Sequence, residues 1–427
     1  MSLSRAVRAA PRIAVIGGGP GGLALARVLQ TRGVVATVYE RDAFRDARPQ
    51  GGSLDLHVDS GQRALREAGL SARYQAAARP EGQDTRLVDK AGTVHRHETR
   101  ATADAAEPEI DRSDLRDLLL DSLTPGTVHW GHGLDRAVPL GDGRHRLHFD
   151  NGAVRTCDLL VGADGAWSRV RPLVSPATPR YTGVTFVETR VADVDRRRPA
   201  LSQLVGPGSL FAFQDGKSLM AQRNGDGSLR VYVGLRVPED WLDRSGIRTA
   251  RPDRIRRLLL GRFTDWAPEL TDLLRHGDDV FLPRPLLTLP VGLSWAPVPG
   301  VTLLGDAAHL MSPFAGEGAN GALEDAVELA LTVAAHGPRD ADALAAYEAG
   351  LVRRATPRAE RSAANLDLCY SADGAPAMAG ARAARERTPP GQAQAGRPPA
   401  GAGAADRGPA GESRPSPAPA RHPEDPR

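Results

Sequence analysis

The sequence predicts an α/β protein: a parallel-sheet domain with an inserted antiparallel, β-rich unit, a long C-terminal helix and a disordered tail. Three observations carry this expectation. A strand, a glycine turn, a helix and a second strand follow one another from Ile13 to Glu40. Alternating apolar segments joined by Gly, Asp and Asn turns fill residues 185–236. A buried strand at Val301–Leu304 then leads into helical patterns over 321–335 and 340–366.

The opening element reads IAVIGGGPGGLALARVLQTRGVVATVYE. Gly17, Gly19 and Gly22 fit G-x-G-x-x-G between a strand and a helix, a Rossmann-like arrangement. The first glycine permits a sharp turn, the second lets a diphosphate approach the backbone, and the third lets helix and strand pack closely. Free N–H groups at the helix start then face the anion. Glu40 ends the second strand, 18 residues past Gly22, where a carboxylate accepts bonds from ribose hydroxyls. The motif does not separate FAD from a nicotinamide dinucleotide.

Farther along, Arg86–Val94 reads as a hairpin outside the nucleotide-binding sheet, and Ser113 as the cap of a helix carrying Arg116. An apolar strand runs into Gly162-Ala163-Asp164-Gly165, and another into Gly305-Asp306-Ala307-Ala308-His309. The loop Ser312–Asn320 opens the next helix; His309 is expected to pack and hydrogen-bond behind it without a catalytic role.

Composition sets bounds. Hydrophobic residues make up 41% and charged residues 25%, as in globular proteins, and 427 residues suffice for two structural units. The net charge of +3, with no continuous basic stripe, gives no reason to expect nucleic acid. The two cysteines, Cys157 and Cys369, form no metal-ligand or disulfide pattern. Glycines and Pro20 break the first apolar segment, and no uninterrupted apolar span is long enough for a transmembrane helix, so a cytoplasmic monomer is expected. After Tyr370 large apolar residues almost vanish, and such a segment cannot offset its ordering entropy.

GGGPGG at 17–22, GADG at 162–165 and GDAAH at 305–309 together resemble the class A flavoprotein monooxygenases, the p-hydroxybenzoate hydroxylase-type group. Within it the chain is similar to the tetracycline-inactivating (TetX) monooxygenases through Tyr39–Asp42, Gly51–His57, Pro108–Ile110 with Asp114–Arg116, and Gly305–Gly316. The resemblance implies FAD and NADPH as cofactors and an FAD-binding domain at 11–75, 104–175 and 281–336. It places the substrate domain at 76–103 and 176–280, the C-terminal helix at 337–370 and the tail at 371–427.

It also implies roles. Glu40 and Arg41 would hold the adenosine, Arg116 the diphosphate or ribityl region, Asp306 the ribityl chain and Asp55 the flavin side of the pocket. Arg48 would contact NADPH, and Asp164 and Gly165 both cofactors. Pro313, Gly316, Gly318 and Asn320 would face the flavin. Glu188, Lys217, Ser218 and Arg230 stand at expected substrate-facing positions, where the match to the tetracycline enzymes weakens.

No side chain is expected to act as nucleophile and no metal is implied. NADPH would reduce FAD, O2 would add to the flavin C4a, and the hydroperoxide would hydroxylate an electron-rich enol or phenol carbon. The substrate implied by the resemblance is a tetracycline, as in 11a-hydroxylation, with another aromatic polyketide or a small phenol as the alternative. An NAD(P)-dependent dehydrogenase and an inactive flavin-binding protein stay open as readings from other classes.

Overall fold

The apolar run Ile13–Ile16 forms β1, buried at every position, as a central parallel strand must be. In the computed structural model, which describes residues 11–48, 50–99 and 106–387, the chain continues through α1 (Pro20–Thr31), β2 (Ala36–Tyr39), β3 (Ser53–Asp55), α2 (Gly61–Glu67) and α3 (Ser71–Ala77). Then come β4 (Thr85–Val88), β5 (Val94–Glu98), β6 (Glu109–Asp111), α4 (Arg112–Ser122), β7 (Val128–His129), β8 (Leu134–Pro139), β9 (His145–Phe149), β10 (Val154–Cys157) and β11 (Leu159–Gly162). The β-rich stretch comprises β12 (Arg180–Val191), α5 (Val194–Arg197), α6 (Pro199–Val205), β13 (Ser209–Gln214), β14 (Lys217–Arg223) and β15 (Leu229–Arg236). It is followed by α7 (Trp241–Arg244), α8 (Pro252–Leu260), α9 (Pro268–Arg275) and β16 (Leu282–Thr288). The chain closes with β17 (Val301–Leu303), α10 (Asp306–His309), α11 (Gly318–His336), α12 (Ala341–Cys369) and α13 (Ala375–Arg387).

Two large sheets organise these elements. A five-stranded parallel sheet has the order β17-β11-β1-β2-β7. Its core takes in Val15, Leu25, Val38, Leu160, Leu303 and Val327. A seven-stranded sheet has the order β16-β12-β15-β14-β13-β4-β5, antiparallel except where β4 joins β13. Side chains alternate across its strands. Val187, Leu219, Val231 and Val233 pack with Leu242, Leu259 and Leu270 of the helical layer. Phe186, Phe213, Met220 and Tyr232 face the other way and pack with Phe314 and Tyr370. Among the described residues no helix is long and apolar enough to cross a membrane.

Three expectations are corrected. Residues 282–288, expected in the FAD-binding domain, form β16 and pair with β12. Pro283 and Pro285 disguise this strand in the sequence, and only an edge position tolerates them. The helix expected to be capped by Ser113 has its N-cap position two residues earlier, at extended Asp111, whose side chain makes no capping bond. The chain is also ordered past Tyr370: α13 follows a turn at Gly374, and its Ala375 and Met378 are buried against the seven-stranded sheet. Small residues sufficed because Ala375 and Met378 meet an aromatic surface already built. The remainder of the tail, 388–427, lies outside the described residues.

Candidate active site

The glycine turn after β1 divides its labour in a way the bare motif does not reveal. A Cβ on Gly17, which has φ +108°, would lie 2.3 Å from the Ala163 carbonyl oxygen. A Cβ on Gly22 would lie 2.1 Å from the Gly17 carbonyl oxygen. Both glycines are therefore required by the protein's own packing. A Cβ on Gly19 would meet nothing within 4 Å, so its backbone faces open space. The start of α1 carries no side-chain cap and no acid in its first turn, leaving the first-turn N–H groups at its positive dipole end without a capping side chain.

Glu40 lies just beyond β2 and is buried. Its Oε2 accepts the Gly18 N–H at 2.5 Å and its Oε1 accepts the Asp42 N–H at 2.9 Å. Gly18 is thus constrained as well, since its Cβ would stand 3.0 Å from Glu40 Oε2. Arg41 is exposed beside this carboxylate.

Arg116 on α4 is 3% exposed. Its Nη1 donates to the Arg45 carbonyl at 2.6 Å, while Nη2 is buried with no hydrogen-bond partner. Asp42 is 3.8 Å from Nη2, and the guanidinium lies 5.3 Å from the centre of the Trp130 ring. Burial lowers the Arg116 pKa against the opposing pull of Asp42 and Glu40. A buried, unpartnered guanidinium N–H calls for an anionic acceptor. Arg48 is held elsewhere on the same acid, with Nε 2.9 Å from Asp42 Oδ2, and is half exposed.

The two acidic turns meet the glycine turn from β11 and β17. Asp164 Oδ2 accepts the Arg169 N–H at 2.7 Å, Oδ1 is buried without a partner, and burial raises the carboxyl pKa. Gly165 adopts φ +77°. Arg171 staples this loop: it donates to the carbonyls of Ala166, Ala177 and Ala307, the last in α10. Asp306 makes no side-chain hydrogen bond among the described residues, and burial raises its pKa. His309, as expected, packs behind the turn, with Nε2 2.6 Å from Asp325. Burial opposes its charge, but the Asp325 carboxylate prevails and raises its pKa. Asp325 also accepts the Gly305 N–H at 3.1 Å and an Arg354 N–H at 3.1 Å.

The loop before α11 completes this side. Pro313–Ala315 form a short 3-10 turn, and Gly316, at φ +69°, would place a Cβ 3.5 Å from Asp55 Oδ2. A Cβ on Gly318 would meet nothing within 4 Å. The Asn320 side chain is bonded within the protein, so the contact expected with the flavin is left to its backbone N–H. Its Nδ2 donates to the Asp55 and Gly316 carbonyls, and its Oδ1 accepts the His57 N–H. It ties β3 to α11, leaving backbone groups for any ligand.

The four expected substrate residues separate. Glu188 and Arg230 lie on neighbouring strands of one sheet face, and Glu188 is buried between Arg230 and Arg284, whose Nε is 2.6 Å from Oε2. Arg230 Nε is buried without a partner. Tyr232 is next on that face; the Gly52 position abuts both, with a Cβ there 2.9 Å from Tyr232 Oη and 3.3 Å from Arg230 Cδ. Lys217 lies on the opposite face, 3.1 Å from Asp265 and over the Phe263 and Trp266 rings. Strand alternation put it there, and it is dropped from the site. Ser218 is on the correct face but fully buried, with its hydroxyl 2.7 Å from Tyr370 Oη. A cavity of about 280 Å³ between α11 and α12, lined by Glu328, Thr332, His336 and Arg353, touches none of the expected site residues.

These geometries fit a dinucleotide: an open glycine backbone, a buried carboxylate at the end of β2, and an orphaned guanidinium N–H on one side of the parallel sheet. The profile of the FAD binding domain family matches residues 11–235 and 299–362. The chain belongs to this family. It is a flavoprotein monooxygenase of the class A type. It is 32% identical to the monooxygenase penA of Penicillium thymicola, over 85% of this chain and 96% of that one. The solved structure of Klebsiella pneumoniae HpxO with FAD and uric acid superposes with a TM-score of 0.72 at 23% identity, covering 88% of this chain and 93% of that one. The tetracycline destructase Tet(55) gives a TM-score of 0.68 at 20% identity, over 88% of this flavoprotein and 94% of that chain. These last two likenesses are likenesses of fold.

Sequence reading missed several residues of the site. Trp130 and Arg171 carry no motif signature, and Asp42, although inside the Tyr39–Asp42 stretch, was given no role of its own; their parts show only once Asp42 and Trp130 meet Arg116 and Arg171 reaches Ala307. Arg284 was hidden by its flanking prolines. Tyr232 could have been found from its place two residues after Arg230 on an alternating strand.

Proposed function

We propose that this flavoprotein is an NADPH-consuming hydroxylase of an electron-rich ring carbon next to an enol or phenol oxygen. The observation that carries the reading is Arg230. It lies beside Tyr232 on the sheet face that meets the Gly52 loop, and its buried Nε–H has no protein acceptor. The surrounding cluster of Arg230, Arg284 and Glu188 holds two cations against one anion, which favours an anionic oxygen on the substrate.

When bound, FAD supplies the activation of dioxygen and the delivery of one oxygen atom to substrate carbon. The chain's residues bind, orient and shield. Glu40, with Arg41 beside it, receives the adenosine ribose, the Gly19 backbone and Arg116 Nη2 the diphosphate, and Asp306 the ribityl hydroxyls. Asp55 and the backbone from Pro313 through Gly318 to Asn320 stand at the flavin ring. The start of α11 favours negative charge there. Asp164 and Gly165 buttress the turn, and Arg48 is the contact for NADPH. Arg230 holds the substrate oxygen as its anion, raising the nucleophilicity of the adjacent ring carbon. Phe186, Phe213 and Phe314 keep water away.

The test is a titration of the purified protein with FAD, followed by NADPH or NADH oxidation with a panel of phenols, aromatic polyketides and tetracyclines, with products read by mass. A yellow protein that adds one oxygen to a ring compound is expected. A protein that takes up no flavin, or oxidises NADPH without oxygenating any member, refutes the reading. Arg230→Gln is expected to raise the KM for the converted substrate with FAD content unchanged.

A further inference from the structure

The C-terminal end of α12 closes the sheet face on which Arg230 lies. Tyr370 is 3% exposed and its hydroxyl meets Ser218 at 2.7 Å. Space for that hydroxyl exists because position 234 is glycine: a Cβ there would stand 1.9 Å from Tyr370 Oη. Gly234 and Ser218 are register partners on β15 and β14. Beyond Tyr370 the chain is clamped to the hairpin of β13 and β14. Gly374, at φ +49°, would place a Cβ 2.3 Å from the Phe213 carbonyl oxygen, and its N–H donates to Ser371 Oγ at 3.0 Å.

The same ring reaches the cofactor side. Tyr370 lies edge-on to Phe314, centroids 5.7 Å apart, and to Phe213 at 6.2 Å. Phe314 belongs to the loop that leads into α11. Tyr370 therefore joins the sheet, the terminal helix and the cofactor loop at one point.

Along β15 the residues on this face run Arg230, Tyr232, Gly234. Arg230 and Gly234 are four residues apart, roughly 13 Å of strand. The polar anchor stands at one end of that interval and the Tyr370 ring at the other.

Resting on the proposed hydroxylase reading, we infer that Tyr370 is the end wall of the substrate pocket and restricts the enzyme to phenols or enols of one or two fused rings. A linear four-ring substrate anchored at Arg230 runs into the Tyr370 ring. Its hydroxyl bond to Ser218 and the clamp at Gly374 keep the ring from swinging aside.

The test measures binding to the FAD-loaded full chain, as perturbation of the flavin spectrum by salicylate, 1-naphthol and tetracycline. Wild type is expected to bind the one- and two-ring phenols at least ten-fold more tightly than tetracycline. Tyr370→Ala is expected to reverse or erase that ratio, and Tyr370→Leu, which keeps an apolar plug and so guards against misfolding, to move it the same way by less. Tyr370→Phe is expected to keep the size ranking. Wild-type binding of tetracycline as tight as that of salicylate overturns the wall, as does a ratio unmoved in both the Ala and Leu variants at full flavin content. No response to any ring compound in any variant refutes the hydroxylase reading and the wall together, whereas a response with unaltered size ranking refutes the wall alone.

Discussion

The parallel-sheet region and the seven-stranded region treat their polar groups differently. Around the glycine turn, groups are left unmatched: Arg116 Nη2 and Asp164 Oδ1 are buried without partners, and Gly19 faces open space. On the seven-stranded sheet most candidates are matched within the protein: Glu188 by two arginines, Ser218 by Tyr370, Lys217 by Asp265. The contrast teaches that the parallel-sheet region leaves polar groups open for a dinucleotide, whereas the seven-stranded region keeps few open valences, Arg230 Nε foremost. A hydroxylase whose cofactor performs the chemistry needs a tightly defined cofactor cradle and a shaped, largely apolar chamber beside it.

The strongest way to break this comparison is at the glycines. Gly22→Ala forces a Cβ to 2.1 Å from a backbone oxygen, and overpacking of that kind costs about 3 kcal/mol. Gly19→Ala meets no protein atom and is expected to leave stability within about 1 kcal/mol while weakening FAD binding. Thermal melts of the apoprotein with parallel FAD titrations distinguish the two. Equal destabilisation by both would erase the distinction between packing and ligand-facing glycines.

Glu188→Ala attacks the matched region. Removing one member of a buried ionic cluster typically costs about 3 kcal/mol; because Arg284 is half exposed, roughly 2 kcal/mol is expected here. FAD affinity should be unchanged. A loss of flavin in this variant would show that the two regions are not separable.

Glu109 tests the seam at β3 and β6. It stands opposite Asp55 in register, bonds Ser53 at 2.5 Å, and is pushed up to about 7 from 4.5, chiefly by burial and then by Asp55. The folded state therefore holds a proton that the unfolded chain releases between these values, so stability falls as pH rises from about 4.5 to 7. The full shift corresponds to about 3 kcal/mol, and partial solvent exposure of Glu109 brings the expected change to the order of 2 kcal/mol. In Glu109→Gln, melting temperature measured across that window should lose most of this slope.

Arg116→Met is aimed at the open valence. Loss of one charge-assisted bond to the diphosphate should weaken FAD binding by about 2 kcal/mol, some thirty-fold. The apoprotein melt should shift less than in Glu188→Ala, since the side chain gives up one hydrogen bond, to the Arg45 carbonyl, and a 3.8 Å ion pair with Asp42, while its Nη2 has no hydrogen bond to lose. An FAD titration with unchanged affinity would remove Arg116 from the cradle.

The parallel domain was legible because its signals are local. Gly17, Gly19, Gly22 and Glu40 lie within one strand–helix–strand, where backbone geometry dictates residue type over short spans. The β-rich unit was legible as strands, but Lys217 and Ser218, neighbours in sequence, point to opposite faces. A period of two makes such an assignment hinge on register. Edge strand β16 was hidden because its prolines suit a loop equally well.

From the chain alone came the dinucleotide turn and the acid that ends β2, each written in the torsional needs of a few consecutive residues, while the grouping of the three glycine-bearing turns came from the family resemblance. Folding alone revealed which valences stay open. Arg116 became an orphan through burial against Trp130, Asn320 a brace through contacts 265 residues away, and Tyr370 a wall through the space left at Gly234. The physical reason is that a side chain's availability depends on every partner that reaches it, and those partners come from remote parts of the sequence.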